Sequence, residues 1–268
     1  MNLVLGAVYN LEYDALEPFV LSLKQSGYTG RVMFWVSGIS EDTCQKLTSQ
    51  GVRLASCDDA HMFERASVNC LRYLVYRDIL RTFPEPISHV MLTDVRDVVF
   101  QRDPFSFDLG DGLCVFLEDR IVKDCIINSW WILNTYGGKM WDNMADKPIS
   151  CSGTSIGSFS QIQVYLDAMV DELERIGGGS SRESLGGIDQ GVHNYLLHCD
   201  RLGQVREFTN EDGPVLTMHY MKDNVVRINS EGLLTNRAGA IANTIHQYDR
   251  YPEIVSRLQN RIMGRANV

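Results

Sequence analysis

The sequence has no CxxC pair, no G-K-[ST] phosphate loop, no internal repeat and no uninterrupted apolar run of about 18 residues. Each absence removes a class of protein. Seven cysteines, at 44, 57, 70, 114, 125, 151 and 199, are scattered and odd in number. That excludes a zinc ribbon or a disulfide framework and fits free thiols in a reducing compartment. Without a long apolar run, no transmembrane helix is expected. The start MNLVLGAVYNLEYD meets acids with no basic stretch before them, so it does not read as a signal peptide. A cytoplasmic location is the expectation. Positive charge is scarce: 25 Lys and Arg against 34 Asp and Glu leave a formal charge of -9, which argues against nucleic acid as a partner. Acidic clusters could instead hold a cation.

The chain has 268 residues, 44% of them hydrophobic, which suffices for a sizeable core. Short apolar runs at 3–9, 31–37, 52–57, 89–94 and 113–119 read as strands. Between them, 11–28 carries Leu16, Phe19, Val20 and Leu23 at helical spacing, and Pro18 places the helix start close to itself. Helices are also expected at 40–51, which opens on a serine cap and closes on glycine, and at 64–83, 158–176 and 187–199. This alternation predicts an α/β fold with a mostly parallel central sheet and helices on both faces. Ligands of such sheets bind beyond the carboxyl ends of the strands. With no Pro- or Ser-rich linker, one domain is expected, with halves at 1–105 and 106–250 and an amphipathic tail at 251–268.

One of those strand ends reads SHVMLTDVRDVVFQRDPF (88–105) and delivers Asp94 and Asp97 directly after a buried run. The ordinary reading is a turn cap and an ion pair with Arg96 or Arg102. The chemical reading is a hard-cation site, because Mg²⁺ and Mn²⁺ take oxygen ligands and share them with phosphates. Further along, IHQYDRYPEI puts His246 after an apolar stretch, GGIDQG puts Asp189 and Gln190 at a helix start, and SCSGTSIGS (150–158) reads as a small, polar loop. Each has a bland alternative: a satisfied core histidine, an acid complementing a helix dipole, an ordinary connector.

Taken in order, TDVRDVV, SGTSIGS, GIDQGVHNYL and IHQYDRYPE resemble the landmarks of GT-A-fold glycosyltransferases of the retaining, family-8-like kind. Those landmarks are a strand-end DxD, an NxG-type loop, a DQ at a helix start and a late metal-ligating histidine. The acids here are spaced D-x-x-D, SGT stands for NxG, and the HxxGxxKPW continuation is absent, so the resemblance is to the superfamily. It implies a GT-A fold and a metal-dependent transferase using a nucleotide-sugar donor, a UDP-sugar first, and a glycan or glycolipid acceptor, with Mn²⁺ or Mg²⁺ as cofactor. Asp97 is similar to the principal metal acid, Asp94 to the acid that touches the ribose or completes the metal shell, and His246 to the distal ligand. Asp189 resembles the residue that holds donor hydroxyls, Gln190 the amide facing the anomeric carbon, and Ser152 with Gly153 the NxG segment. By the same resemblance the base lies over Ala7, Val8 and Tyr9, and Arg72 or Arg77 of the long helix contacts base or phosphate.

Other readings stay open. An inverting enzyme needs a carboxylate near the acceptor, which Asp189, Glu118 or Asp119 could supply. A nucleotidyltransferase shares the layout, but YNLEYDALEP (9–18) lacks the glycine and cation it needs. A non-catalytic sugar-binding or interaction module is the third. The glycine-rich 177–187 segment suits a cover over the donor. The tail spaces Arg257, Arg261 and Arg265 along one helix face and Ile254, Leu258 and Ile262 along another. Such a helix could lie on an anionic membrane or pack on the domain.

Overall fold

The computed structural model describes residues 1–56, 67–177, 187–222 and 226–264. In the first half the expected alternation is present: β1 (Asn2–Tyr9), α1 (Tyr13–Gln25), β2 (Arg31–Ser37), α2 (Glu41–Ser49), β3 (Arg53–Ser56), α3 (Val68–Thr82) and β4 (His89–Thr93). The apolar runs mark these strands because a strand covered on both faces reads as continuous hydrophobics. Leu3, Val4, Leu5, Val90 and Met91 are fully buried. Ser40 caps α2 as its sequence suggests, its Oγ accepting from Thr43 N at 3.2 Å. Helix α1 begins at Tyr13, five residues earlier than Pro18 implied. The carbonyl that Pro18 leaves without a donor belongs to exposed Asp14, where water can serve it, while Leu16, Phe19, Val20 and Leu23 are buried.

The short strand β5 (Val98–Phe100) follows, and then β6 (Leu113–Ile121), α4 (Ile126–Tyr136), α5 (Gly138–Met144), β7 (Pro148–Ser158), α6 (Phe159–Arg175), α7 (Ile188–His198), β8 (Val205–Phe208) and β9 (Val215–Thr217). The central sheet has the order β3-β2-β1-β4-β7-β6-β8 and so runs across both sequence halves. All neighbours are parallel except around β7, which is antiparallel to β4 and β6. This corrects the loop expected at 150–158: it is a strand, pairing from His89↔Ser158 to Thr93↔Thr154. Helices α4 and α5 were not anticipated either. Asn128, Trp131 and Ile132 of α4 are buried, leaving Ile126, Ile127, Trp130 and Leu133 on its outward side.

After a β10 (Arg227–Ile228) and β11 (Leu234–Thr235) ribbon, β12 (Thr244–His246) lies between β5 and β9 in a small second sheet. Its register sets His246 opposite Val98, the residue after Asp97. The final helix, α8 (Pro252–Ile262), buries Ile254, Leu258 and Ile262 with Met218, Met221, Leu234 and Tyr248. The tail therefore packs on the domain, the second of the two readings its sequence allowed, with its apolar side spent on the domain's own core. Arg265 lies outside the described residues, as does nearly all of the 177–187 segment read as a cover. Among the described residues, no helix is long and apolar enough to cross a membrane.

Candidate functional site

The carboxyl end of β4 releases Asp94, whose backbone N–H donates to Gly153 O of β7 at 2.7 Å. Four residues later, β5 begins and pins Asp97, the residue before it, beside His246. The result is a group of three ligand atoms, one each from Asp94, Asp97 and His246, all within 4.8 Å of one another. His246 Nε2 is 3.4 Å from Asp94 Oδ2 and 3.8 Å from Asp97 Oδ1. Its Nδ1 lies 3.2 Å from Thr154 Oγ1. With that partner on Nδ1, Nε2 is fully buried and makes no hydrogen bond. An imidazole nitrogen without a hydrogen bond between two carboxylates is costly unless a proton or a metal cation brings positive charge there. Ligands about 2.1 Å from a hard cation sit about 3 Å apart across an octahedral edge and about 4 Å apart across its centre, so these separations fit Mn²⁺ or Mg²⁺.

Electrostatics agree with the geometry. Burial opposes ionisation of Asp94, but Arg72 and His246 outweigh it and hold the carboxyl well below its usual range. Burial raises Asp97, with His246 opposing and Asp94 adding to the rise. Burial also opposes the His246 imidazolium, yet Cys151, Asp94 and Asp97 carry it well above its ordinary value. The pocket therefore wants a positive charge, whether a proton or a metal.

Arg72, from α3, joins this group to the helix start at α7. The residue is 8% exposed, and its guanidinium donates through Nη1 to Asp94 Oδ1 and through Nη2 to Asp189 Oδ2 at 2.8 Å. Ser152 Oγ donates to the same Asp189 oxygen at 3.0 Å, and Tyr73 OH to Ser152 O at 3.3 Å. Asp189, 2% exposed, is raised by burial against the pull of Arg72 and Ser152. Gln190 follows it, and the cleft between them is lined by Arg72, Asp94, Ser152, Gly153, Asp189 and Gln190, with Asn69, Trp131 and Gln247 at its sides. Arginine, two acids, a hydroxyl and an amide in one recess suit a polyhydroxylated ligand with an anionic end.

The remaining expected residues fall in different places. Ala7, Val8 and Tyr9 end β1 beside β2, past the end of its pairing with β4, with Val8 in the core and Tyr9 exposed. Arg77 is not at the cleft; its nearest acid is its neighbour Asp78, at 3.9 Å. Asp119 is committed to Arg237 and to Lys222 N, at 2.7 Å. Glu118 has neither carboxylate oxygen hydrogen-bonded, and burial pushes it up to about 7 against His246, the Gln190 amide and Arg120.

Three contributors escaped the sequence reading. Gln247 has φ +60°, an uncommon conformation for a side chain other than glycine, and donates its N–H to Asp97 O at 2.8 Å. Asn194 holds the first turn of α7 to β7 through Gln190 O and Ser150 O, both at 2.8 Å. Asn128 accepts from the Gln190 amide at 3.3 Å. No isolated signal marks an asparagine as a positioning group, and Asn128 belongs to a helix that was not expected.

Gly153 is required by close approach. A Cβ there would run into Asp94 Oδ2 and come 2.6 Å from His246 Cε1, and both neighbours are tied to partners. Gly153→Ala should leave a folded protein whose affinity for Mn²⁺ falls by about ten-fold or more, measured by isothermal titration.

No family model matches the sequence. No curated protein matches it either. Among solved structures, that of an active-site mutant of LgtC, with glutamate in place of a glutamine, matches with a TM-score of 0.59 at 14% identity, over 100% of this chain and 97% of that one. At that identity the likeness is one of fold, and the GT-A fold expected from the sequence is the fold observed.

Proposed function

We propose that the protein is a metal-dependent glycosyltransferase of the hexosyltransferase type, moving a sugar from a nucleotide diphosphate sugar to a hydroxyl of a glycan or glycolipid. A UDP-sugar is the first choice of donor. One observation carries the reading: two strand-end acids and a buried histidine with an orphaned nitrogen converge at the edge of a polar cleft, on an LgtC-like fold.

Asp94, Asp97 and His246 would hold Mn²⁺ or Mg²⁺, which when bound supplies Lewis-acid neutralisation of charge on the departing diphosphate. The chain's own residues supply placement. Asp189, fixed by Arg72 and Ser152, has lone pairs left to accept from donor-sugar hydroxyls. Arg72 favours the ionised forms of Asp94 and Asp189 in a cleft whose burial favours their neutral forms. Gln190 gives the anomeric centre a partial negative charge without offering a competent base. An amide there suits retention better than inversion, because it cannot take the acceptor's proton. LgtC also carries a glutamine in its active site.

Isothermal titration of UDP, with and without Mn²⁺, tests the reading. UDP should bind in the presence of Mn²⁺ and lose at least about ten-fold in affinity without it, since the metal would carry much of the diphosphate contact. Binding that ignores the metal, or no binding at all, would mean the acids serve another purpose.

A further inference from the structure

Gln190 carries an amide with two unlike ends of the same size. Rotation by half a turn about its last bond exchanges a hydrogen-bond donor for an acceptor with no steric consequence. Which end faces the cleft decides whether the residue presents partial negative or partial positive charge to a sugar. The backbone of Gln190 is fixed by the α7 turn and by Asn194, but neither of these sets the amide.

The hydrogen bond that sets it comes from α4, and the buried Glu118 carboxylate draws the same Gln190 NH₂ end. Gln190 Nε2 donates to Asn128 Oδ1 at 3.3 Å. Asn128 is itself 5% exposed and cannot turn freely, because its Nδ2 donates to Cys125 Sγ at 3.2 Å. The Cys125 sulfur lies 4.0 Å from the Tyr220 hydroxyl, toward which its S–H can turn while its lone pairs accept from Asn128. The orientation therefore passes outward in a chain: the Cys125 sulfur accepts the Asn128 NH₂, and Asn128 leaves only its oxygen for Gln190. A flipped Gln190 would set two amide oxygens against each other in a buried place.

We infer that Asn128 is a positioning residue that turns the Gln190 amide so that its carbonyl oxygen faces the sugar pocket. The consequence for rate rests on the glycosyltransferase reading above; the orientation itself does not. Asn128 touches no substrate in this scheme. It acts through Gln190 alone.

Two measurements separate these claims. The first needs no turnover. In ¹⁵N-labelled protein the side-chain NH₂ pair of Gln190, identified by its loss in Gln190→Ala, should shift and exchange faster with water in Asn128→Leu. An unchanged pair would overturn the orientation. The second is release of UDP from UDP-glucose, UDP-galactose and UDP-N-acetylglucosamine in the presence of Mn²⁺. Asn128→Leu should lower kcat by about ten-fold, the value of one orienting hydrogen bond, with KM for the donor unchanged. Asn128→Asp keeps an acceptor oxygen and should recover most of the loss. In a Gln190→Glu background both outer atoms are oxygens, so orientation loses its meaning and Asn128→Leu should cost nothing further. Equal losses in both backgrounds would make Asn128 a packing residue and overturn the inference. If wild-type protein turns over none of these donors, the function proposed above fails while the NMR result still decides the orientation.

Discussion

Arg72→Met should cost about 3–5 kcal/mol of stability and abolish turnover together, the largest combined effect of any single change considered. The side chain is nearly fully buried and bridges Asp94, which also has His246 at 3.4 Å, and Asp189, which pairs with no other cation among the described residues. Methionine keeps the volume and removes the charge, so two carboxylates are left desolvated rather than a cavity opened. Asp189 shows the sign of the effect. Burial already raises it, and Arg72 is the first force opposing that rise. Without Arg72 its folded-state value climbs further above its unfolded one, so the folded variant binds more protons than the unfolded chain. Its stability then increases as pH falls toward the unfolded carboxylate range near 4. Urea melts at pH 7.5 and pH 5 check this: the gap between variant and wild type should narrow at the lower pH. A gap of under about 1 kcal/mol at both would mean that the pair is solvated and Arg72 does not organise the cleft.

Arg72 also shows what the sequence could reveal and where it stopped. Its place within an apolar helix face of α3 invited attention, but Arg77 carries the same signal five residues later and lies away from the cleft. Helical spacing gives the face of a residue, not the partner that waits across it. The strand-end acids were legible because fold class alone places them where ligands bind. His246 was legible as a strand end, yet its approach to Asp97 depends on the β12–β5 register, which no local pattern encodes. Strand β7 was the main omission. A central strand buried on both sides ordinarily reads as Val, Ile and Leu, whereas PISCSGTSIGS spends alternate positions on hydroxyls. Ser150 meets His193 Nε2 at 2.9 Å, Ser152 meets Asp189, and Thr154 meets His246. These residues look like loop because they serve the site, and the site's needs override the pattern that marks a strand.

Asp97→Ala provides the second large effect, and it should separate folding from chemistry. Asp97 is 7% exposed, with His246 Nε2 3.8 Å and Arg96 3.9 Å from its carboxylate oxygens. Burial raises it and Asp94 adds to the rise, so in the metal-free protein this carboxyl is a burden that alanine removes. The variant should therefore melt at no lower temperature than wild type in EDTA. Adding Mn²⁺ and UDP should then divide the two proteins. Ligand at about a hundred-fold over its Kd stabilises the native state by about 2.7 kcal/mol, which for a chain of this size raises Tm by several degrees. Wild type should show that rise and Asp97→Ala should not. Donor turnover should fall by about a thousand-fold, the several kcal/mol that charge neutralisation at the diphosphate supplies. Asp97→Asn sharpens the comparison, since it keeps the shape and an oxygen but not the charge that a hard cation requires. If Asp97→Ala kept the wild-type rise in Tm with Mn²⁺ and UDP, the ion would have to sit elsewhere, and the orphaned nitrogen of His246 would need another explanation.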